Sequence, residues 1–322
     1  MSEEQQIQGE RWTNQTKNIL RRLGWRQKGD SNIDIPCTQK ATHGKSGEKR
    51  KNPHGIDLLL SYFDPYKIEE NTVLVESKNR NWAGITTSTL QEFVTQISNT
   101  VECARTSPPL IQDLKCSVIN DGLLMVWCNE TNKYDADKFK EYVRNLKIKK
   151  RKKPLNIYIA SNKEILRWCS IIQKVEDIKK NYTDFNFFYP SDYFSGGQAT
   201  TRRQKQLNLS HMFSDYIFAK GEQSVVVHRG TRTEDVNHIF FFAEPTMDEL
   251  EFMDNCITRY QFEDADRLVI HIHGNNSAYR AQIQQFITEK QESLVESKSH
   301  LKIEIDYLVE FKEVPENFTY EE

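Results

Sequence analysis

At 322 residues the chain is longer than one ordinary hydrophobic core fills, which predicts two domains. It is 37% hydrophobic and 28% charged, and no apolar run approaches the roughly 18 residues of a membrane span, so a soluble rather than a membrane-embedded protein is expected. The net charge of -2 hides an asymmetry, with Lys and Arg in excess as far as Ser195 and Asp and Glu in excess beyond it. A basic half suits a polyanion and an acidic half is repelled by one, so nucleic acid is expected on the N-terminal part.

In chain order, Trp12, Ile19, Leu20 and Leu23 share one helical face and Gly24 follows as a stop signal, predicting a helix over 7–23. The opening residues are acids and glutamines rather than a secretory signal, which points to a cytoplasmic protein. A short strand is expected near 25–30, followed by a polar, basic loop over 31–53 that carries Lys45, Lys49, Arg50 and Lys51. These four cations either contact phosphates or are simply solvated. Near-continuous apolar runs at 55–63 and 72–78 predict strands buried on both faces. A helix over 86–106 follows, built on Leu90, Phe93, Val94, Ile97 and Val101 and stopped before Pro108.

Strands at 122–128, 155–160 and 184–189 then alternate with helices at 135–146 and 163–180. Between them runs the basic stretch 147–153, in which Lys149, Lys150, Arg151, Lys152 and Lys153 either track a phosphate backbone or form a solvated face. This order defines an α/β domain, 1–195, closed by turn signals around Pro190 and Gly197. Beyond it, a helix over 201–220, strands at 223–228 and 237–243, a helix at 247–260, a strand at 266–273, a helix at 277–296 and a strand at 301–311 predict a second α/β domain, 196–322. In that domain His271 and His273 share a strand face, where they are either metal ligands or ordinary histidines. The six cysteines, Cys37, Cys103, Cys116, Cys128, Cys169 and Cys256, show neither a Cys-x-x-Cys pair nor zinc-type His spacing, so reduced, buried thiols are expected.

The chemistry concentrates between His54 and Lys78. Side chains alternate along a strand, so Glu76 and Lys78 project from one face while Ser77 goes to the other. If the two apolar strands are neighbours, Asp57, Glu76 and Lys78 converge. An acid two residues before a Lys is not informative by itself, because five such pairs occur and residues 295–298 repeat 75–78 letter for letter. Only Glu76-Lys78 ends an apolar strand, with an acid-bearing apolar strand before it and a helix after it.

This arrangement resembles the PD-(D/E)xK nuclease superfamily, the restriction-endonuclease-like fold, over roughly residues 7–160, with Gly55-Ile56-Asp57 and Glu76-Ser77-Lys78 as its two motifs. The resemblance implies a central mixed sheet flanked by helices and Mg2+-dependent (or Mn2+-dependent) hydrolysis of DNA phosphodiesters. Asp57, Glu76 and the backbone carbonyl of Ser77 would then hold the metal, and Lys78 would orient the attacking water. Many members place a further Glu on the first helix; here Thr13 occupies that place, and Glu10 either serves as a further metal ligand from the helix start or is solvated or capping. By the same analogy the protein belongs to restriction or anti-phage defence, and its acidic domain is expected to bind a co-encoded protein, to dimerise or to regulate access. The alternative is a non-catalytic DNA-binding or assembly subunit that retains the fold.

Overall fold

The computed structural model describes residues 3–44, 48–190, 203–228, 230–297 and 299–319. They divide into two compact units, one made of Met1–Asp64, Ile68–Leu166 and Lys312–Glu322, the other of Pro65–Lys67 and Arg167–Phe311. The boundary expected at 195 lies outside the described residues, and the division by compactness falls after Leu166.

Helix α1 (Glu3–Arg22) buries Trp12, Ile19 and Leu20 on one stripe. It stops at Gly24, whose φ of 93° is the left-handed conformation glycine adopts without a Cβ penalty. Gly24 N–H donates to Arg21 O and Trp25 N–H to Leu20 O, which satisfies carbonyls the helix end would leave open. Strand β1 (Arg26–Gln27) follows. The polar loop expected over 31–53 begins with β2 (Ile33–Ile35), which pairs antiparallel with β3 (His54–Ile56).

The apolar run at 55–63 is broken at Asp57, so β3 is followed by a separate β4 (Leu58–Asp64). Next come β5 (Glu69–Arg80), α2 (Thr87–Ala104), β6 (Ile119–Cys128), α3 (Ala136–Arg144), β7 (Asn156–Ala160) and α4 (Asn162–Lys179). The sheet order is β1-β4-β5-β6-β7, antiparallel from β1 to β5 and parallel from β5 to β7, hence mixed.

Alternation sorts the two faces of this sheet. Leu59, Leu74, Leu124 and Val126 pack with Leu90, Phe93, Val94, Ile97 and Val101 of α2. Trp127 faces the other way and stacks on Trp12 of α1, ring centroids 5.4 Å apart. Each such fully buried aliphatic side chain contributes about 1.5–3 kcal/mol, so β4, β5 and β6 form the rigid centre of the unit. The last described segment returns to α1, where Phe318 is buried, Asn18 Nδ2 donates to Phe318 O at 3.1 Å and the Arg22 guanidinium lies over the Phe318 ring.

The second unit is sheet-rich. Strands β8 (Tyr182–Phe188), β9 (Arg203–Gln204), β10 (Tyr216–Val227), β11 (Gly230–Phe241), β12 (Arg267–His273) and β13 (Lys302–Leu308) lie in the order β13-β12-β11-β10-β8-β9. Strands β11, β12 and β13 are parallel; α6 (Met247–Arg259) links the first two and α7 (Arg280–Glu296) the last two. The helix expected over 201–220 is not formed among the described residues: β9, the short α5 (Leu209–Met212) and the first part of β10 stand there. Leu209, Met212, Phe213 and Tyr216 fit a helical period, but pairing of β10 with both β8 and β11 satisfies the backbone on two sides and wins.

Among the described residues no helix is long and apolar enough to cross a membrane. His271 of β12 proves an ordinary paired core histidine. Its Nδ1 lies 3.0 Å from Asp306 Oδ2, which also accepts from Lys174 Nζ, and its Nε2 lies 2.9 Å from His238 Nδ1.

Candidate active site

Leu58 pairs with Val75 in the antiparallel β4–β5 ladder, and one further step of that register sets Asp57 opposite Glu76. The acid falls at the break between β3 and β4, where its carbonyl accepts from Asn32 N–H at 3.0 Å and Ser77 N–H donates to its Oδ2 at 2.7 Å. Glu76 and Lys78 project to the α2 side of the sheet. Lys78 Nζ donates to Glu76 Oε2 at 2.7 Å and to Asp57 Oδ2 at 3.3 Å, and it lies 5.9 Å from the centre of the Phe93 ring. The three side chains are 24%, 4% and 16% exposed for Asp57, Glu76 and Lys78, so the group is rooted in the core and open at Asp57.

The electrostatics are those of two acids sharing one cation. Burial pushes the Glu76 carboxyl up, Lys78 pulls it down and the Asp57 charge adds to the rise, leaving it raised to about 7. Burial opposes the Lys78 charge, but Glu76 and Asp57 outweigh it and hold the ammonium above its ordinary range. Two hard carboxylates, one of which resists ionisation because it is buried beside the other, are a donor set that fits a divalent cation such as Mg2+. The Ser77 side chain turns to the other face, where its Oγ is buried without a partner, so only its backbone borders the acids, its N–H donating to Asp57.

The remaining predicted residues are distributed as follows. Glu10 is exposed on α1, which packs on the face of the sheet opposite α2, and Thr13 is buried. Lys45 lies outside the described residues. Lys49 and Lys51 are exposed, and Arg50 donates to the carbonyls of Asn52 and Pro53, fixing its own turn. Lys149, Lys150, Lys152 and Lys153 are exposed. The basic stretch is clamped to α2 by Gln91, whose side chain donates to Lys147 O and accepts from Lys147 N–H. Together they line a groove of about 650 Å³. Arg151 is turned inward, paired with Glu102 and bonded to Asn99 Oδ1 at 2.8 Å. Sequence reasoning missed Arg80, whose guanidinium lies 5.3 Å from the Phe93 ring centre, one strand step beyond Lys78 on the same face. Its position two residues after Lys78 was the available signal.

A mixed sheet between two helix layers, with an acid at a strand break and Glu-x-Lys on the next strand, defines a PD-(D/E)xK nuclease domain at the N-terminus of the chain. A family model described as the GAPS4 protein PD-(D/E)XK nuclease domain matches residues 1–164, and the chain belongs to that family. No curated protein matches it. Nucleases of this class generally use divalent metals.

Proposed function

We propose that the chain is a Mg2+-dependent deoxyribonuclease that cleaves DNA in restriction or anti-phage defence, with Asp57, Glu76 and Lys78 as its catalytic group. The observation that carries this is the convergence of the three side chains through Lys78 Nζ, 2.7 Å from one acid and 3.3 Å from the other. When bound by Asp57, Glu76 and the Ser77 carbonyl, the ion supplies a Lewis acid for the phosphate and lowers the pKa of a water. Lys78 keeps its proton at Nζ, orients that water and offsets the charge that builds on the phosphoryl oxygens. Ser77 N–H and Lys78 hold one oxygen of Asp57, fixing the direction of the other. Lys49, Lys51 and the exposed lysines of 149–153 supply charge for the DNA backbone, and the acidic second unit serves a protein partner or a second copy.

A non-catalytic DNA-binding subunit is the second reading. The exposed position of Glu10 and the Thr13 in place of a helix acid favour it. Purified protein incubated with plasmid and linear DNA in Mg2+ or Mn2+ separates the two. Cleavage is expected, falling by about 10³-fold or more in Asp57→Ala and in Lys78→Ala. Cleavage that persists in either variant overturns the site, and tight binding by the wild type without cleavage selects the subunit reading.

A further inference from the structure

Cys37, His43, His54 and Cys103 come together inside the nuclease unit, all buried, with one ligand atom from each inside a sphere where every pair lies within 4.8 Å. His43 Nδ1 is 3.5 Å from Cys37 Sγ, 3.5 Å from Cys103 Sγ and 3.3 Å from His54 Nε2, and the two sulfurs are 4.0 Å apart. A tetrahedral Zn2+ with Zn–S of about 2.3 Å and Zn–N of about 2.0–2.1 Å sets its ligands roughly 3.8 Å apart for S and S, 3.6 Å for S and N and 3.3 Å for N and N. The spacings of His43 to both sulfurs and to His54, and of sulfur to sulfur, match these, and the remaining pairs, from His54 to the two sulfurs, lie within 4.8 Å. The two imidazole planes stand at 82°, as ligands converging from different directions require.

The outer hydrogen bonds fix what each ring presents to the centre. His43 Nε2 faces the Glu102 carboxylate at 3.2 Å, which can only accept, so the ring proton sits there and Nδ1 turns a lone pair inward. Thr100 spends its single hydroxyl proton on Gln96 O at 3.0 Å, so at 3.3 Å it accepts from His54 Nδ1 and leaves the His54 Nε2 lone pair inward. Two lone pairs therefore face each other across 3.3 Å. A proton on His43 Nδ1 would satisfy one of its three close neighbours and leave the other two, whereas a cation satisfies all four groups. The sulfurs are served as thiolates are: Thr38 Oγ1 donates to Cys103 Sγ at 3.4 Å, and the Gln39 backbone N–H donates to Cys37.

We infer that Cys37, His43, His54 and Cys103 form a closed structural Zn2+ site. Two thiolates with two imidazoles select zinc over Mg2+, and four protein ligands leave no open position for chemistry. The Glu102 and Thr100 contacts are the carboxylate–histidine and hydroxyl–histidine partners that orient such ligands. The ion ties the segment after β2, the start of β3 and the last turn of α2 into one knot, in a stretch too polar to build a core of its own. His54 stands three residues before Asp57, so the same knot anchors the strand that delivers the first acid of the active site.

The test is the metal content of the full chain, purified without added metal. About one zinc per chain is expected, retained on dialysis against EDTA at neutral pH and released on denaturation. The zinc X-ray absorption edge should show two sulfurs and two nitrogens, and cobalt-substituted protein should show thiolate charge-transfer and strong tetrahedral visible bands. Those bands should weaken in Cys37→Ser and in Cys103→Ser and stay unchanged in the double variant Asp57→Ala/Glu76→Ala. Zinc-free wild type with six titratable thiols, zinc-free wild type with four, as a Cys37–Cys103 disulfide would give, or a cobalt spectrum indifferent to the cysteine changes would each overturn the inference.

Discussion

Asp57, Glu76 and Lys78 stand on neighbouring strands around a volume open at Asp57, whereas Cys37, His43, His54 and Cys103 come from separate segments and are all buried. The first group is all oxygen and nitrogen with one acid raised by burial; the second is a closed set of sulfur and imidazole. The difference teaches where each kind of metal chemistry belongs. On the roles proposed for them, the group that is to admit a phosphate keeps a few hard ligands and stays open to solvent, while the group that is to brace the fold is enclosed on every side.

The sharpest way to break the comparison is chelation. Brief EDTA treatment should lower DNA cleavage by about 10³-fold and fresh Mg2+ should restore it, with no loss of zinc or of near-UV circular dichroism. If activity and zinc disappear together, the two sites are not independent. A smaller effect is expected at the outer partner of His43. Glu102→Gln, which also loosens Arg151, should weaken zinc retention in a competitive chelator titration by roughly 10–100-fold, with the DNA-cleaving site intact.

Stability against pH sharpens the contrast from the other side. Because the folded-state Glu76 carboxyl is raised from 4.5 to about 7, the native protein holds a proton that the unfolded chain releases first. Its contribution is full below about pH 4.5 and is lost as the pH rises to about 7. Without divalent metal, Glu76→Gln should therefore be more stable than the wild type at pH 8, by on the order of 2 kcal/mol, with the two converging towards pH 5. Thermal melts across this range check it, and a wild type that is the more stable at pH 8 would refute the burial argument. The smallest effect is expected on the groove. Lys149→Glu with Lys150→Glu should weaken DNA binding without sequence preference and reduce the slope of log affinity against log salt by about 1 for each phosphate no longer neutralised.

Much of the first unit was legible because its signals are local. The stripe Trp12, Ile19, Leu20 with Gly24 specifies α1, and Thr86 caps α2, its side chain accepting from Thr89 N–H at 3.2 Å. The alternation through Glu76, Ser77 and Lys78 assigns faces once β5 is known to be a strand. Less of the second unit was legible. The spacing of Leu209, Met212, Phe213 and Tyr216 suited a helix, and only the presence of β8 and β11 on either side made Tyr216–Val227 a strand. Likewise Arg151 read as one more cation in a basic run, and its pairing with Glu102 depends on how the stretch after α3 lies along α2.

By itself the sequence determined the acid–acid–lysine pattern, because its members are separated by short, regular steps along paired strands and the register of a sheet follows from local alternation. The placing of α1, α2 and β5 was determined by equally local patterns. Only the tertiary structure decided that Cys37, His43, His54 and Cys103 meet. Their separations of 6, 11 and 60 residues from His43 to Cys37, His54 and Cys103 follow no helical or strand period. What joins them is the pairing of β2 with β3 and the packing of both beside the end of α2, and contacts of that range are set by the folded core rather than by any stretch of chain.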